Sequence, residues 1–418
     1  MTTTTQTLEI KKAYKTELAP TPEQAEHLQR IVDAVRYVYN AGLEQRKLMW
    51  DQRRLSVHWM QQCKELTQAL KEEELQWLRV APRNALDAAF QNLQRGYDGA
   101  FDRLKKGKVG RDAGFPVYHS RFKGSSGFKF FTQASAGEWW VQIPKVGKVA
   151  LKEKAYIPQG KGYAIASASV TKQAGRWFVS VTVTEEIEEA PKGDNVLAIH
   201  LGLRRFATIT DGVRRTIVQH PRPLERNLVR LGRLQRVRTL KKRGSRAYRE
   251  LSEKIANLHF HIAKQREAFA QKLTAQLIEG EINRKELGQK TEERAYLMSY
   301  DEDVKVWLGG KPRVIYVEDW DIQEMLRDKK YSRAISDSGW GDFSRILEYK
   351  CGWNNVVFVK REKYFPSSKT CSTCGFKHED FPLSEEIFEC PKCGHVQHRD
   401  DNAVLNVLDG IVEEEVMA

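Results

Sequence analysis

The sequence predicts a multidomain α+β protein: an N-terminal β-barrel interrupted by a helical lobe, then an α/β domain with a small inserted cysteine module. Three observations carry that expectation. Strand-like runs at 8–18 and 115–186 flank a stretch of helical periodicity. The polar segment "EEIEEAPKGD" (185–194) separates this half from buried apolar runs that alternate with helices. Two Cys-x-x-Cys pairs, "CSTC" and "CPKC", interrupt the second half near its end.

Composition bounds the function classes. A chain of 418 residues has room for about two or three domains. Apolar residues at 41% and aromatics at 10% exclude a mostly disordered chain. No window reaches the ~18 uninterrupted apolar residues of a membrane span, and "MTTTTQTLEIKK" lacks a signal-peptide core. A cytosolic protein with no membrane partner is therefore expected. A net charge of +14 points to polyanionic partners.

The elements follow in order. Residues 8–18 alternate as a strand. In "TPEQAEHLQRIVDAVRYVYNAGLEQR", Thr21 is a helix N-cap, Pro22 the first helical residue, and Gln24 completes a capping box. Leu28, Ile31, Val35, Val38 and Leu43 form its apolar side. Residues 61–106 supply more helix, with Ala85, Ala88, Ala89, Leu93 and Tyr97 as a packing side. The strands of 115–186 carry Phe122, Phe128 and Phe130 as core residues.

In the second half, "NVLAIHLGLRRFATITDG" (195–212) reads as a buried strand, a short loop and a second strand closed by an Asp211-Gly212 turn. Residues 222–278 read as one or two long helices, with Leu224, Leu228, Leu231 and Leu234 at helical spacing. From Arg222 to Arg249 there are nine Arg and two Lys against Glu225 alone. Charge of one sign over several turns favours contact with phosphates over a merely solvated face. Residues 279–310 read as a polar surface insertion, 313–320 as a buried strand ending at Glu318, and 336–354 as a helix. A strand at 355–361 precedes the cysteines; a capped helix at 398–412 follows them, with Ala403, Val404, Val407 and Leu408 inward.

The cysteine spacing is C-x2-C-x15-C-x2-C, and cysteines so paired in a cytosolic chain mean metal rather than disulfides. Cys371, Cys374, Cys390 and Cys393 are expected to hold a structural zinc, since four thiolates leave no position for water. A glycine follows each pair (Gly375, Gly394), letting backbone amides approach the thiolates. His378 and His395 read as exposed loop residues rather than ligands. An RNase H-like fold brings one acid from its first strand, one from a later strand and one from a C-terminal helix around two divalent ions. Glu318 and Asp400 occupy the second and third places; the first holds His200.

Seven stretches in order make a resemblance specific: "YKTELAPTPEQAEHLQRIVDAVRYVYNAGL", "RWFVSVTV", "LAIHLGLRRFATITDG", "VEDWDIQEML", "SDSGWGDFSRILEYK", "FPSSKTCSTCG" and "CPKCGHVQHRDDNAVLNVL". The chain resembles TnpB, the transposon-encoded RNA-guided nuclease family related to type V CRISPR effectors. The resemblance implies a wedge β-barrel at 1–20 and 107–190 and a helical recognition lobe at 21–106. It further implies a RuvC domain, RNase H-like, at 191–369 and 398–418, with a zinc ribbon inserted at 370–397. It places an Asp where His200 stands, and assigns Glu318 and Asp400 to the second and third RuvC motifs.

Magnesium demands oxygen ligands in octahedral array, and a neutral imidazole offers one nitrogen lone pair and no charge. Asp319 should point to the opposite strand face from Glu318, and Asp401 lies about 100° around the helix from Asp400. Neither replaces the missing acid, so magnesium is not expected to bind productively. The resemblance then implies a nuclease-dead RNA-guided protein of the prokaryotic cytosol or nucleoid. Such a protein, a monomer with its guide RNA, would bind double-stranded DNA next to a short motif and repress transcription. Two other readings remain open: an active RNA-guided endonuclease, transposon-associated or a compact type V effector, and a zinc-ribbon DNA-binding accessory that needs no RNA. Candidate nucleic-acid contacts are Arg36, Tyr37 and Asn40 on the first helix, Arg83 and Asn84 opening the later helical run, and Lys123 and Lys129 on the barrel strands. Arg226, Arg230, Arg233, Arg236 and Arg243 are the candidates for the guide–target backbone, and Ser367, Ser368 and Lys369 for the displaced strand.

Overall fold

The alternating run at the start of the chain forms one long strand, β1 (Thr7–Ala19), in a computed structural model. The structure describes all residues except 1–6, 121–125, 132–134, 161, 189–192, 284–286, 288–304, 364, 383–384 and 410–418. It divides into two compact units, one spanning Thr7–Glu188 and one formed by the described residues beyond.

In the first unit, α1 (Pro22–Arg53) begins where its capping signals put it. The Thr21 side chain accepts from the Gln24 amide, and the Gln24 side chain accepts from the Thr21 amide. Helices α2 (Trp59–Ala69) and α3 (Arg83–Lys105) follow. Six further strands complete an antiparallel ladder: β2 (Ser126–Phe130), β3 (Ser135–Ala136), β4 (Trp140–Ile143), β5 (Gly147–Leu151), β6 (Tyr163–Gln173) and β7 (Arg176–Glu188). The order is β2-β6-β7-β1-β5-β4-β3, and no described hydrogen bond closes β2 on β3. Strand β1 joins the two halves, pairing with β7 up to Glu17 and with β5 at Leu18 and Ala19. Helices and sheet share one core: Leu28, Ile31 and Leu43 of α1 and Ala85, Ala89 and Leu93 of α3 cluster with Phe128, Phe130 and Val179. The small alanines let α3 approach α1 closely. Phe122 lies outside the described residues.

The second unit opens with β8 (Asn195–Leu201), β9 (Arg205–Thr210) and β10 (Arg215–Gln219), the last two joined through the Asp211-Gly212 turn. Helices α4 (Pro223–Thr239) and α5 (Arg246–Glu279) form a hairpin closed by Leu231, Ile255, Leu258 and Ile262. Next come β11 (Glu281–Asn283), β12 (Lys305–Trp307), β13 (Pro312–Val317), α6 (Ile322–Met325), α7 (Ser332–Ser338), α8 (Trp340–Trp353) and β14 (Val357–Lys360). The chain ends in β15 (Ile387–Glu389), β16 (Val396–His398) and α9 (Arg399–Asp409). The main sheet runs β10-β9-β8-β13-β14, with β13 parallel to β8 and β14 and only β9 antiparallel to its neighbours.

The pleat sorts side chains between the two faces. Leu197, Ile199, Ile315 and Val317 pack with Leu273 and Leu277 of α5 and Phe343 and Leu347 of α8. Ala198, Val314 and Tyr316 pack with Val404 and Val407 of α9 on the opposite face.

Two expectations need correction. The helix read at 336–354 is two helices, because Gly339 takes φ +70°, a left-handed conformation that ends α7 and opens α8. The ends of the 279–310 segment are not surface: Ile282, Leu287 and Leu308 are buried in the α5/α8 core, which polar composition alone concealed.

Gly280 caps α5 at φ +72°, and an added Cβ would lie 1.8 Å from the Gly310 carbonyl oxygen; at Gly339 the nearest atom would be an Arg266 side-chain carbon at 3.7 Å. Gly339→Ala should therefore cost only the left-handed penalty, about 1–2 kcal/mol, and Gly280→Ala clearly more. Chemical denaturation of the two variants tests this, and equal losses would refute it.

Candidate functional site

Backbone register brings the first two site residues together. Ile199 pairs with Val317 across the parallel strands β8 and β13, so the next residues, His200 and Glu318, emerge side by side. Each follows a residue of the α9-facing set, Ala198 and Tyr316, by two positions, so both side chains lie on the face that α9 covers. The first turn of α9 supplies Asp400.

The three side chains form a buried row. His200 Nδ1 lies 2.7 Å from Glu318 Oε2, and His200 Nε2 lies 3.7 Å from Asp400 Oδ1. Side-chain exposures are 5%, 8% and 2% for His200, Glu318 and Asp400, which removes solvent screening. The longer approach is an ion contact rather than a hydrogen bond, so Asp400 Oδ1 is buried with no hydrogen-bond partner among the described residues. Both Glu318 oxygens are engaged: Oε1 accepts from Ser367 Oγ, and Oε2 accepts from His200 and, at 3.2 Å, from Trp320 Nε1. Burial alone would lower the His200 pKa, but the Glu318 charge and the contacts to Asp400 and Glu318 raise it from 6.5 to about 9. Burial would raise the Asp400 pKa, but the imidazole and Arg399 lower it to about 2. At neutral pH the imidazole is protonated and Asp400 beside it is ionised.

This donor set does not fit a pair of divalent ions. The ring stands between the two carboxylates that would have to share the metals, carries a positive charge, and both Glu318 oxygens already accept hydrogen bonds. Asp401 supplies no substitute, because Arg205 at 3.2 Å and Arg215 at 3.0 Å hold it. Asp319 differs from expectation: it lies past the end of β13, where strand alternation stops, and lines the same 270 Å³ cavity as His200, Glu318, Trp320 and Ser368.

The four cysteine sulfurs fit a metal well. Each lies within 4.8 Å of the others, with Cys371–Cys393 at 3.7 Å and Cys374–Cys390 at 3.6 Å. Thiolates around a tetrahedral zinc, at about 2.3 Å each, stand about 3.8 Å apart. Burial would raise the Cys390 pKa, but the backbone amides of Cys393 and Lys392 lower it, while the neighbouring thiols raise that of Cys393, so the first thiolate of the cluster forms at Cys390. His378 and His395 are half-buried, not exposed as expected; the His378 ring packs on Phe381 and Phe388.

Comparison with known proteins places this geometry. Residues 10–54 match a family model described as "Helix-turn-helix domain", 178–285 one described as "Probable transposase", and 340–407 one described as "Cas12f1-like, TNB domain". A protein of Streptomyces pristinaespiralis named "Putative RNA-guided DNA endonuclease" is 30% identical over 96% of this chain and 89% of its own. The chain belongs to the TnpB/type V family. An Escherichia coli relative, "Putative RNA-guided DNA endonuclease InsQ", is 23% identical over 95% of this chain and 91% of its own. Among solved structures, "Cryo-EM structure of the Cas12f1-sgRNA-target DNA complex" is 15% identical, with a TM-score of 0.35, over 96% of this chain and 99% of that one.

Side chains of this TnpB/type V chain sort differently from expectation at several nucleic-acid candidates. Asn40 is a clamp: its amide donates to the His119 carbonyl at 3.0 Å and accepts from the His119 amide at 2.8 Å. Arg36 pairs with Asp33, and Arg83 with Asp87 and the Cys63 carbonyl. Ser367 is buried against Glu318, and Lys369 donates to the Glu379 carbonyl. Those partners lie far along the chain or on an adjacent turn, and a surface reading of the sequence missed them. Tyr37 is exposed, edge-on to Trp77; Lys129 lies over Phe131; Asn84 is half-buried at the start of α3; Ser368 lines the acidic cavity. Lys123 lies outside the described residues. Arg226, Arg230, Arg233, Arg236 and Arg243 are all exposed, and no described carboxylate pairs with them.

Two asparagines escaped the sequence reading. Asn402 accepts from the Ser372 amide at 2.8 Å and donates to the Thr370 carbonyl at 2.6 Å; Asn406 donates to the carbonyls of Ser367 and Thr370. Their only signal was a polar residue at an inward helix position beside Ala403 and Val407. They tie α9 to the segment between Glu318's hydrogen-bond donor and the first cysteine.

A pKa raised from 6.5 to about 9 contributes stability that is complete below about pH 6.5 and lost as pH climbs through 9. In magnesium-free buffer, the thermal-midpoint gap between the wild type and His200→Gln should shrink over that range; a constant gap would count against the ion row. Purified protein should carry about one zinc per chain by elemental analysis. Cys374→Ser should lose most of it and melt at lower temperature; full retention of zinc would exclude the four-thiolate site.

Proposed function

We propose that this chain is an RNA-guided DNA-binding protein that holds its target without cutting it. On this reading the second unit is an RNase H-like RuvC domain with an inserted zinc ribbon, and the first unit is a wedge barrel with a recognition lobe. The order β10-β9-β8-β13-β14, with only β9 antiparallel to its neighbours, supports the first assignment. The seven-stranded ladder and the helices on its core support the second.

One observation carries the loss of cutting: the His200 ring lies between Glu318 and Asp400, 2.7 and 3.7 Å away. Paired divalent ions need those carboxylates to converge on them. An imidazolium there repels a cation and offers no carboxylate to a pair of ions. Binding has separate supports. Base pairing with a guide RNA would choose the target, the protein would read a short adjacent duplex motif, and exposed arginines would meet the phosphates. A protein so bound at a promoter blocks transcription by occupancy. The names of the curated relatives favour a second reading, an active RNA-guided endonuclease.

RNA that co-purifies with the protein identifies the guide, and duplex DNA matched to it tests the rest. The wild type should bind that duplex and leave it uncut in Mg²⁺ or Mn²⁺. His200→Asp should raise cutting at least about tenfold by returning a carboxylate to the metal centre. Site-specific scission by the unmodified chain would overturn the proposal, and failure of His200→Asp to cut would mean that the site is disabled elsewhere too.

A further inference from the structure

A second cavity, of about 550 Å³, lies at the base of the α4–α5 hairpin, away from the acidic row. Four cations line it: Arg222, Lys329, Lys330 and Arg333. The two acids on its wall are already engaged. Asp337 accepts from the Leu224 and Glu225 amides at 2.9 and 3.1 Å, capping α4, and Glu225 pairs with Arg222 at 3.3 Å. Lys329, Lys330 and Arg333 are exposed at the cavity; Lys330 lies over the Tyr331 ring at 5.1 Å and near Asp328, while no described salt bridge engages Lys329 or Arg333.

We infer that this cavity is a phosphate-binding site for single-stranded nucleic acid. Three arguments support that ligand class. The excess of positive charge selects an anion, and the guanidinium of Arg333 can grip phosphate oxygens in a two-pronged fork. The volume is large enough for a nucleotide rather than a bare inorganic ion, and Leu203 and Leu228 give one wall an apolar surface for a sugar or base. The exposed arginines of α4 begin at Arg226, one residue after Glu225 of the cavity lining, so a strand whose phosphates follow that helix passes close to the cavity. The phosphate could be the terminal group of an RNA or one link of its backbone. This inference rests on the nucleic-acid-binding reading above.

The test uses the full-length chain and fluorescein-labelled single-stranded RNA ending in either a 5′-phosphate or a 5′-hydroxyl. Lys329→Ala/Arg333→Ala should weaken binding about tenfold, with a shallower salt dependence, while Lys254→Ala/Lys264→Ala on α5, which removes equal charge elsewhere, should not. A loss confined to the 5′-phosphorylated RNA assigns a terminal phosphate; a loss for both assigns a backbone phosphate. In parallel, pyrophosphate should protect Lys329 and Lys330 from acetylation. If the double variant binds like the charge control and pyrophosphate protects neither lysine, the site is refuted, even though RNA binding by the wild type would keep the wider reading alive. If the wild type binds neither RNA, the wider reading falls, and protection by pyrophosphate alone decides the cavity.

Discussion

An imidazole held between two buried carboxylates fastens three elements of the second unit: the ends of β8 and β13 and the first turn of α9. Two carboxylates buried together need a compensating cation or a shared proton, because desolvating each charge costs several kcal/mol. Here the cation is covalently part of the chain. Its charge meets one acid through a short hydrogen bond and the other across 3.7 Å, with Arg399 at 3.5 Å adding to the field on Asp400. Truncating the ring would leave like charges facing each other in a dry interior, and replacing it by a third acid would make the fold depend on a metal for neutrality. On the proposed reading, the same position sets both how the unit is stabilised and whether it can hold catalytic ions.

The zinc-ligand module is wired into that row. Ser367, whose hydroxyl saturates Glu318, lies four residues before Cys371, and Asn402 and Asn406 of α9 grip the backbone between them. Helix α9 thus carries Asp400 at its first turn and, two and six residues on, the side chains of Asn402 and Asn406 that hold the approach to the cysteines. A short path of hydrogen bonds links the four-cysteine module to the acidic row.

Local patterns in the sequence revealed much of this. The capping box of α1, the Asp-Gly turn after β9 and the apolar runs of β8 and β13 each act within a few residues, so each could be read directly. The paired cysteines were legible because chelation imposes its own spacing. What stayed hidden depends on partners distant in sequence. Asn40 looked like a surface reader until His119, seventy-nine positions away, took both ends of its amide. Ser367 looked like a loop residue until Glu318, forty-nine positions earlier, claimed its hydroxyl. Gly339 broke an apparently continuous apolar pattern through its backbone, which hydrophobic periodicity does not record. His200 shows both sides: its identity flagged a missing acid, but only the fold shows the ring as a counter-ion and not merely an absent ligand.

Binding and cutting draw on different physics in such a molecule, which is why one residue can separate them. Affinity for a nucleic acid comes from many exposed cations releasing counterions, a sum that losing any single group changes little. Phosphodiester cleavage needs a few carboxylates to converge on ions within tenths of an ångström, and it fails when one of them is wrong. On the proposed reading the exposed arginines of α4 serve the first kind of interaction and the buried row stands where the second would take place. A change confined to the row leaves the basic surfaces untouched and keeps the interior neutralised, so on the proposed reading the chain keeps the grip of its family while losing the blade.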